Sequence, residues 1–165
     1  MTSAQPDGAD VVVVGAGIVG LAVAAELARA GRGVVVVERG ARVAAGVTSR
    51  NSGVVHDGLY YPHDSTVART CIEVRDLVAA RCRERGVSYR EFGKLVVACD
   101  EGELAALEAL CANAHASGAR EARLVDAAFV RAREPHVRAR AALFSPRTGI
   151  VDATALARSF LAEAE

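Results

Sequence analysis

The chain has 165 residues, with 20 basic and 20 acidic side chains, 52% hydrophobic and 24% charged residues. That length points to about one domain, and the balanced charge excludes a basic nucleic-acid surface or a polybasic membrane patch. Lys94 is the only lysine, a compositional bias that carries no functional weight by itself.

Residues 1–9 read as a flexible, polar N-terminus. They lack the basic region and apolar core of a signal peptide, and Val11–Val14 is far too short to span a bilayer. Cys71, Cys82, Cys99 and Cys111 form no CxxC pair. They read as reduced, mostly buried thiols, which suggests a reducing cytoplasm.

Asp10–Gly15 reads as a buried parallel strand, a β-branched run ended by glycine. Gly17–Ala30 follows as an alanine- and leucine-rich helix closed by Gly31. A second buried strand, Val34–Val37, completes a right-handed βαβ unit. Residues 39–62 are irregular and glycine-dotted, and long loops inside compact domains are usually functional. A helix is expected over Thr66–Arg85, with Val67, Cys71, Val74, Val78 and Cys82 as its apolar stripe. Short strands follow near Val87–Tyr89 and Lys94–Ala98, then a helix over Glu101–Ser117 burying Leu104, Leu107, Cys111 and Ala114. Arg123–Val125 reads as a strand, and Asp126 as the cap of a short helix ending before Pro135. Ala141–Phe144 is a strand, Thr148–Gly149 a turn, and Asp152 the cap of a final helix.

Gly15, Gly17 and Gly20 form G-x-G-x-x-G. The context gives this short pattern its force: it follows a buried strand, opens a helix, and leads to a second strand ending in Glu38. Gly15 permits the turn, Gly17 lets a pyrophosphate approach the backbone, and Gly20 lets the helix pack closely. The helix N-terminus, with Ala16 and Ile18 between the glycines, offers free N–H groups and about half a positive charge to a diphosphate. Glu38 suits ribose hydroxyls and repels a 2′-phosphate, which disfavours NADP. A plain NAD domain would continue promptly into another helix and strand. The departure after Glu38–Arg39 favours a Rossmann-like, glutathione-reductase-like FAD unit instead.

Thr48–Tyr61, TSRNSGVVHDGLYY, is the most distinctive segment. With GAGIVGLA (15–22), FGKLVVA (92–98), REPHV (133–137) and TGIVD (148–152), it resembles the L-2-hydroxyglutarate dehydrogenase/oxidase family of D-amino-acid-oxidase-like FAD oxidoreductases. The resemblance runs in order from about Asp10 to Glu165. It implies oxidation of the α-hydroxyl of L-2-hydroxyglutarate to 2-oxoglutarate, with electrons passing to FAD and then to a quinone, another acceptor or oxygen.

On that resemblance Thr48, Ser49, Arg50, Asn51, Ser52 and Gly53 would lie along the flavin, with donors stabilising negative charge at its ring. His56 is a candidate base or substrate-orienting group, and a purely loop-stabilising histidine is equally compatible. Arg50 could pair with a substrate carboxylate. Lys94 and Arg147 are weaker candidates for that role, and Tyr60 and Tyr61 are candidate pocket walls. An FAD-dependent amino-acid or glycerol-3-phosphate oxidase or dehydrogenase is one alternative, and a truncated, non-catalytic remnant or subunit that needs a partner chain is another.

The expected division is a cofactor unit and flavin loop over 10–62, the start of an α+β substrate domain over 63–147, and a return toward the cofactor unit over 148–165. The resembled family continues well beyond residue 165, so the chain is expected to be a truncated, N-terminal part. Alone it would bind FAD weakly. A full-length form leaves room for peripheral membrane contact, and a partner chain for the missing half.

Overall fold

The computed structural model describes residues 8–165. Most of the segment expected to be flexible, residues 1–7, lies outside the described residues. Among the described residues, eight strands and five α-helices divide between two compact units.

The first unit comprises residues 8–53, 84–88 and 151–165 of the described chain. Strand β1 (Val11–Val14) pairs in parallel with β2 (Val34–Val37), Val11 opposite Val34 and Val14 opposite Val37. Helix α1 (Ile18–Arg29) connects them. Its end is set by Gly31, at φ 75°. There Gly31 N–H donates to Ala28 C=O and Arg32 N–H to Leu27 C=O, satisfying carbonyls the helix would otherwise leave unpaired. Helix α5 (Ala153–Ala164) lies against α1. Ala16, Leu21, Ala44 and Ala157 form the core there, with Val36, Phe160 and Leu161 packed around it.

The expectation that both strands are buried on both faces needs correction. Side chains alternate across a strand, and α1 and the packed core take only one face. Val12, Val14, Val35 and Val37, paired by register, are exposed on the other, Val14 to 84%.

The second unit holds residues 54–83 and 89–150. One sheet has the order β3 (Val54–Val55), β8 (Gly149–Val151), β4 (Tyr89–Glu91), with Val54 antiparallel to Ile150. The other is antiparallel, β5 (Lys94–Ala98), β7 (Ala141–Ser145), β6 (Arg123–Asp126). Helix α3 (Leu104–Ser117) buries Leu107, Cys111 and Ala114 in a core shared with Leu59, Ala98 and Leu143. Helix α4 (Ala127–Arg133) starts at Asp126, whose carboxylate accepts from Phe129 N–H at 2.8 Å. Phe129 and Phe144 meet at 5.2 Å between ring centroids, and the Arg133 guanidinium lies 3.6 Å from the Phe129 centroid.

Helix α2 has the expected bounds, Thr66–Arg85, but not the expected inner face. Its buried residues are Ala68, Arg75 and Cys82, spaced by sevens. Val67 and Val74 are exposed and, with Cys71 and Val78, line an apolar groove of about 420 Å³ beside β3. The stripe read from the sequence shares Cys82 with the inner face, but Val67 and Val74 lie one residue off it, because that face includes an arginine, which an apolar count overlooks.

The first strand after α2 begins at Tyr89 rather than Val87. The Thr148–Gly149 turn leads into β8. Cys82 and Cys111 are buried, Cys71 is half-buried and Cys99 is exposed. No helix among the described residues is long and apolar enough to cross a membrane.

Candidate functional site

The glycine turn of the first unit is shaped by close backbone contacts. Gly15 sits at φ 101°, in the left-handed region, and its N–H donates to Val37 C=O at 2.7 Å. A Cβ on Gly20 would lie 2.0 Å from the Gly15 carbonyl oxygen. The constraint at Gly20 is therefore the turn itself more than the sheet. Gly17 begins α1 and supplies no side-chain cap.

Thr48 supplies one from 30 residues away: Ile18 N–H donates to its Oγ1 at 3.0 Å. Thr48 is buried, and a Cβ on Gly17 would meet that oxygen at 3.3 Å. Thr48→Val should remove the side-chain acceptor that Thr48 offers to this helix start and cost about 1 kcal/mol, with Thr48→Ser restoring it. Urea unfolding midpoints of the three proteins check this.

Glu38 closes the turn on the other side. Its Oε2 accepts from Ala16 N–H at 2.8 Å and its Oε1 from Gly40 N–H at 2.7 Å. These bonds, that from Gly40 first, hold the carboxyl below the usual glutamate range. Arg39 is exposed beside it. Ala16 C=O accepts from Ala44 N–H at 2.8 Å, which ties the start of the loop to the turn.

The loop 47–53 is internally tied. Val47–Ser49 forms a 3-10 turn, and Arg50 N–H donates to Val47 C=O at 3.0 Å. Asn51 Nδ2 donates to Val47 and Thr48 carbonyls, and its Oδ1 accepts from Gly53 N–H at 2.7 Å. Ser49 Oγ donates to Gly46 C=O at 3.1 Å. Asn51 is thus engaged at both ends of its amide in shaping the loop. Arg50 and Ser52 are exposed. Thr48, Ser49, Asn51, Ser52 and Gly53 line a polar cavity of about 210 Å³ with the start of α5. That helix is capped by Asp152, whose Oδ1 accepts from Thr154 and Ala155 N–H.

In the second unit His56 follows β3 and borders the apolar groove. Partial burial, and then the charge of Lys94, lower its pKa from the ordinary histidine value. Lys94 Nζ lies 4.4 Å from the Tyr60 ring centroid. A larger cavity of about 550 Å³ borders Phe92, Lys94, Arg133 and Phe144, without His56.

Sequence reasoning missed the charged knot behind His56. Asp57 is fully buried; it pairs with Arg75 and accepts from Ser145 Oγ at 2.7 Å. Ser145 in turn lies 3.0 Å from Thr148 Oγ1. Arg147 does not stand free for a substrate carboxylate. It pairs with Asp76 at 2.7 Å and with Glu91 and Glu121 at 3.3 Å. The available signal was Arg75 at heptad spacing between Ala68 and Cys82.

The turn fits a dinucleotide. Gly20 leaves no room for a side chain, Gly15 takes a left-handed φ, α1 opens without a cap of its own, and Glu38 could accept from a ribose.

Comparison with known proteins extends this. The chain is 37% identical over 160 residues to human (Homo sapiens) L-2-hydroxyglutarate dehydrogenase, mitochondrial, covering 96% of this chain and 35% of that protein. It is 39% identical over 145 residues to the Caenorhabditis elegans protein of the same name, covering 87% and 34%. The chain therefore spans about a third of the length of these relatives. Among solved structures, FAD-bound L-α-glycerophosphate oxidase from Mycoplasma pneumoniae superposes with a TM-score of 0.86 at 26% identity, over 94% of this chain and 42% of that one.

The names of the dehydrogenases overturn the expectation of a cytoplasmic protein, since they are called mitochondrial. Reduced thiols report a reducing milieu and do not choose among compartments that share one. The model of the DAO family, FAD dependent oxidoreductase, matches residues 10–165; the chain belongs to that family, with FAD as its cofactor.

Proposed function

We propose that this chain carries the cofactor-binding part of an enzyme that oxidises the 2-hydroxyl of L-2-hydroxyglutarate, giving 2-oxoglutarate. The observation that carries this is the 37% identity over 96% of the chain to proteins named for that reaction.

FAD, when bound, supplies the hydride acceptor. Gly15, Ala16 and Ile18 N–H already donate to Val37, Glu38 and Thr48, so Gly17 N–H and the following N–H groups at the start of Gly20's helix take the pyrophosphate. Thr48 Oγ1 already accepts from Ile18, so its own proton is free to be donated to a phosphate oxygen. Glu38 accepts from ribose hydroxyls, flanked by Arg39. Ser49, Arg50, Asn51, Ser52 and Gly53 serve the ribityl chain and ring, and Arg50 also pairs with a substrate carboxylate. His56 takes the hydroxyl proton. The acceptor that reoxidises the cofactor is a quinone or oxygen. Peripheral membrane contact and a partner chain belong to the same proposal for the longer protein.

His56 has its pKa lowered by partial burial, so at pH 7 it is neutral and able to accept a proton. As the pH falls through that lowered value it becomes charged and the rate should drop. The expected kcat/KM profile has an acid limb that lies below the ordinary histidine range. His56→Gln should remove that limb and lower kcat about 100-fold, within the range for general bases.

Anaerobic addition of L-2-hydroxyglutarate to the FAD-loaded protein should bleach the flavin absorbance; an unchanged spectrum sinks the substrate assignment. A second reading, oxidation of glycerol 3-phosphate or an amino acid, is favoured by the 0.86 TM-score to the glycerophosphate oxidase. Bleaching by one of those compounds alone would select it.

A further inference from the structure

Several carboxylates near the start of β5 are taken by arginines, while Glu134 borders the same cavity as Lys94. Arg75 holds Asp57 and Asp76, and Arg147 holds Asp76, Glu91 and Glu121. Lys94, opposite Ser145 in the β5–β7 register, makes no ion pair among the described residues. Its ammonium instead rests on the Tyr60 ring, 4.4 Å from the centroid. That contact restrains the side chain through the ring's quadrupole and leaves the N–H bonds pointing away from the ring unused. The same charge acts on His56, two elements away in sequence but within Coulombic range. A restrained cation with no ion partner calls for an anion.

We infer that Lys94, oriented by Tyr60, is the specificity-determining cation that receives the distal carboxylate of a dicarboxylic 2-hydroxy acid. This rests on the reading of His56 as the group facing the substrate hydroxyl. Lys94 makes no covalent change: its N–H groups donate to the carboxylate oxygens, and it discriminates against 2-hydroxy acids that end in a methyl group. Arginine at this place would have matched a carboxylate in bidentate fashion. The lone lysine gives a single point of charge that still permits the ligand to leave.

Because Lys94 is the only lysine, protein labelled with [ε-¹³C]lysine gives one side-chain signal, and no substitution is needed to assign it. The full chain, saturated with FAD, is titrated with L-2-hydroxyglutarate under anaerobic conditions, and in parallel with L-2-hydroxybutanoate. The Lys94 signal should shift saturably with the dicarboxylate, and the monocarboxylate should bind about tenfold more weakly. Lys94→Met should erase that preference, and Lys94→Arg should keep most of it. Equal affinities, no binding by the dicarboxylate, or binding that leaves the Lys94 signal unmoved overturns the inference. Flavin absorbance is recorded in the same samples. A Lys94 shift without bleaching removes the oxidation reading and keeps the carboxylate site; bleaching without a Lys94 shift does the reverse.

Discussion

Gly20→Ala should strip the protein of FAD and lower its stability by about 2 kcal/mol. The added methyl would stand 2.0 Å from the Gly15 carbonyl oxygen. That oxygen belongs to a backbone fixed on both sides, by φ 101° at Gly15 and by the bond from Gly15 N–H to Val37. Neither can step aside as a flexible side chain would. Overpacking of this kind costs about 3 kcal/mol at the upper end, while alanine in place of glycine inside a helix returns about 1 kcal/mol, so the clash wins.

Gly17→Ala is the informative contrast. Its Cβ would meet only Thr48 Oγ1, at 3.3 Å, so stability should fall by less than about 1 kcal/mol. Affinity for FAD should still fall, since the methyl would occupy the approach of the pyrophosphate. Urea midpoints separate the two variants, and equilibrium titration with FAD should show weaker binding than the unaltered chain in both. An alanine at Gly20 that kept both stability and flavin would refute the account of the turn.

The difference between those glycines marks how far the sequence can be read. The βαβ unit was legible because its signals are local: a β-branched run, three glycines at fixed spacing, and an acid ending the second strand. Asp126 and Asp152 were legible as caps for the same reason. Long-range partners were not. Nothing near Thr48 in the chain shows that its hydroxyl will cap a helix 30 residues earlier. Nothing near Gly20 shows that its neighbour in space is the Gly15 carbonyl.

The valine runs gave the strands but not their surroundings, because period-two alternation is invisible when every residue is valine. Helix α2 failed differently. Its stripe was counted by hydrophobicity, and the inner face carries Arg75, whose burial is made tolerable only by Asp57, 18 residues away. In the distinctive segment Thr48–Tyr61, the near-neutral pKa of histidine makes His56 the conspicuous residue. The neighbouring Asp57, fully buried, is the residue that fixes the segment in place.

That pair leads to the second large effect. Arg75→Met should cost about 3–5 kcal/mol, because it leaves the Asp57 carboxylate charged, buried and facing only the Ser145 hydroxyl. Asp57→Asn should cost less, about 1–3 kcal/mol, since Arg75 is 8% exposed and keeps Asp76 at 3.2 Å. The double variant buries no unpaired charge, so it should be more stable than Arg75→Met alone, with a coupling energy of about 2 kcal/mol between the two sites. Additive losses in urea denaturation would mean that the pair contributes nothing beyond packing.

The consequence reaches the proposed chemistry because the knot lies directly behind His56. Asp57 follows it in sequence, and Gly58 turns the chain at φ 70°, where a Cβ would press on the Ala68 carbonyl at 3.2 Å. Ser145 and Thr148 complete the same buried cluster from the β7–β8 connection. The β8 strand that this connection leads into is the partner of β3, with Gly149 opposite Val55. Loosening the knot therefore frees both sides of the ladder that presents His56. Arg75→Met should lower kcat even at temperatures where the protein remains folded, and the double variant should recover part of it. A variant that lost stability but kept the full rate and its acid limb would show that His56 is held by the β3–β8 pairing alone.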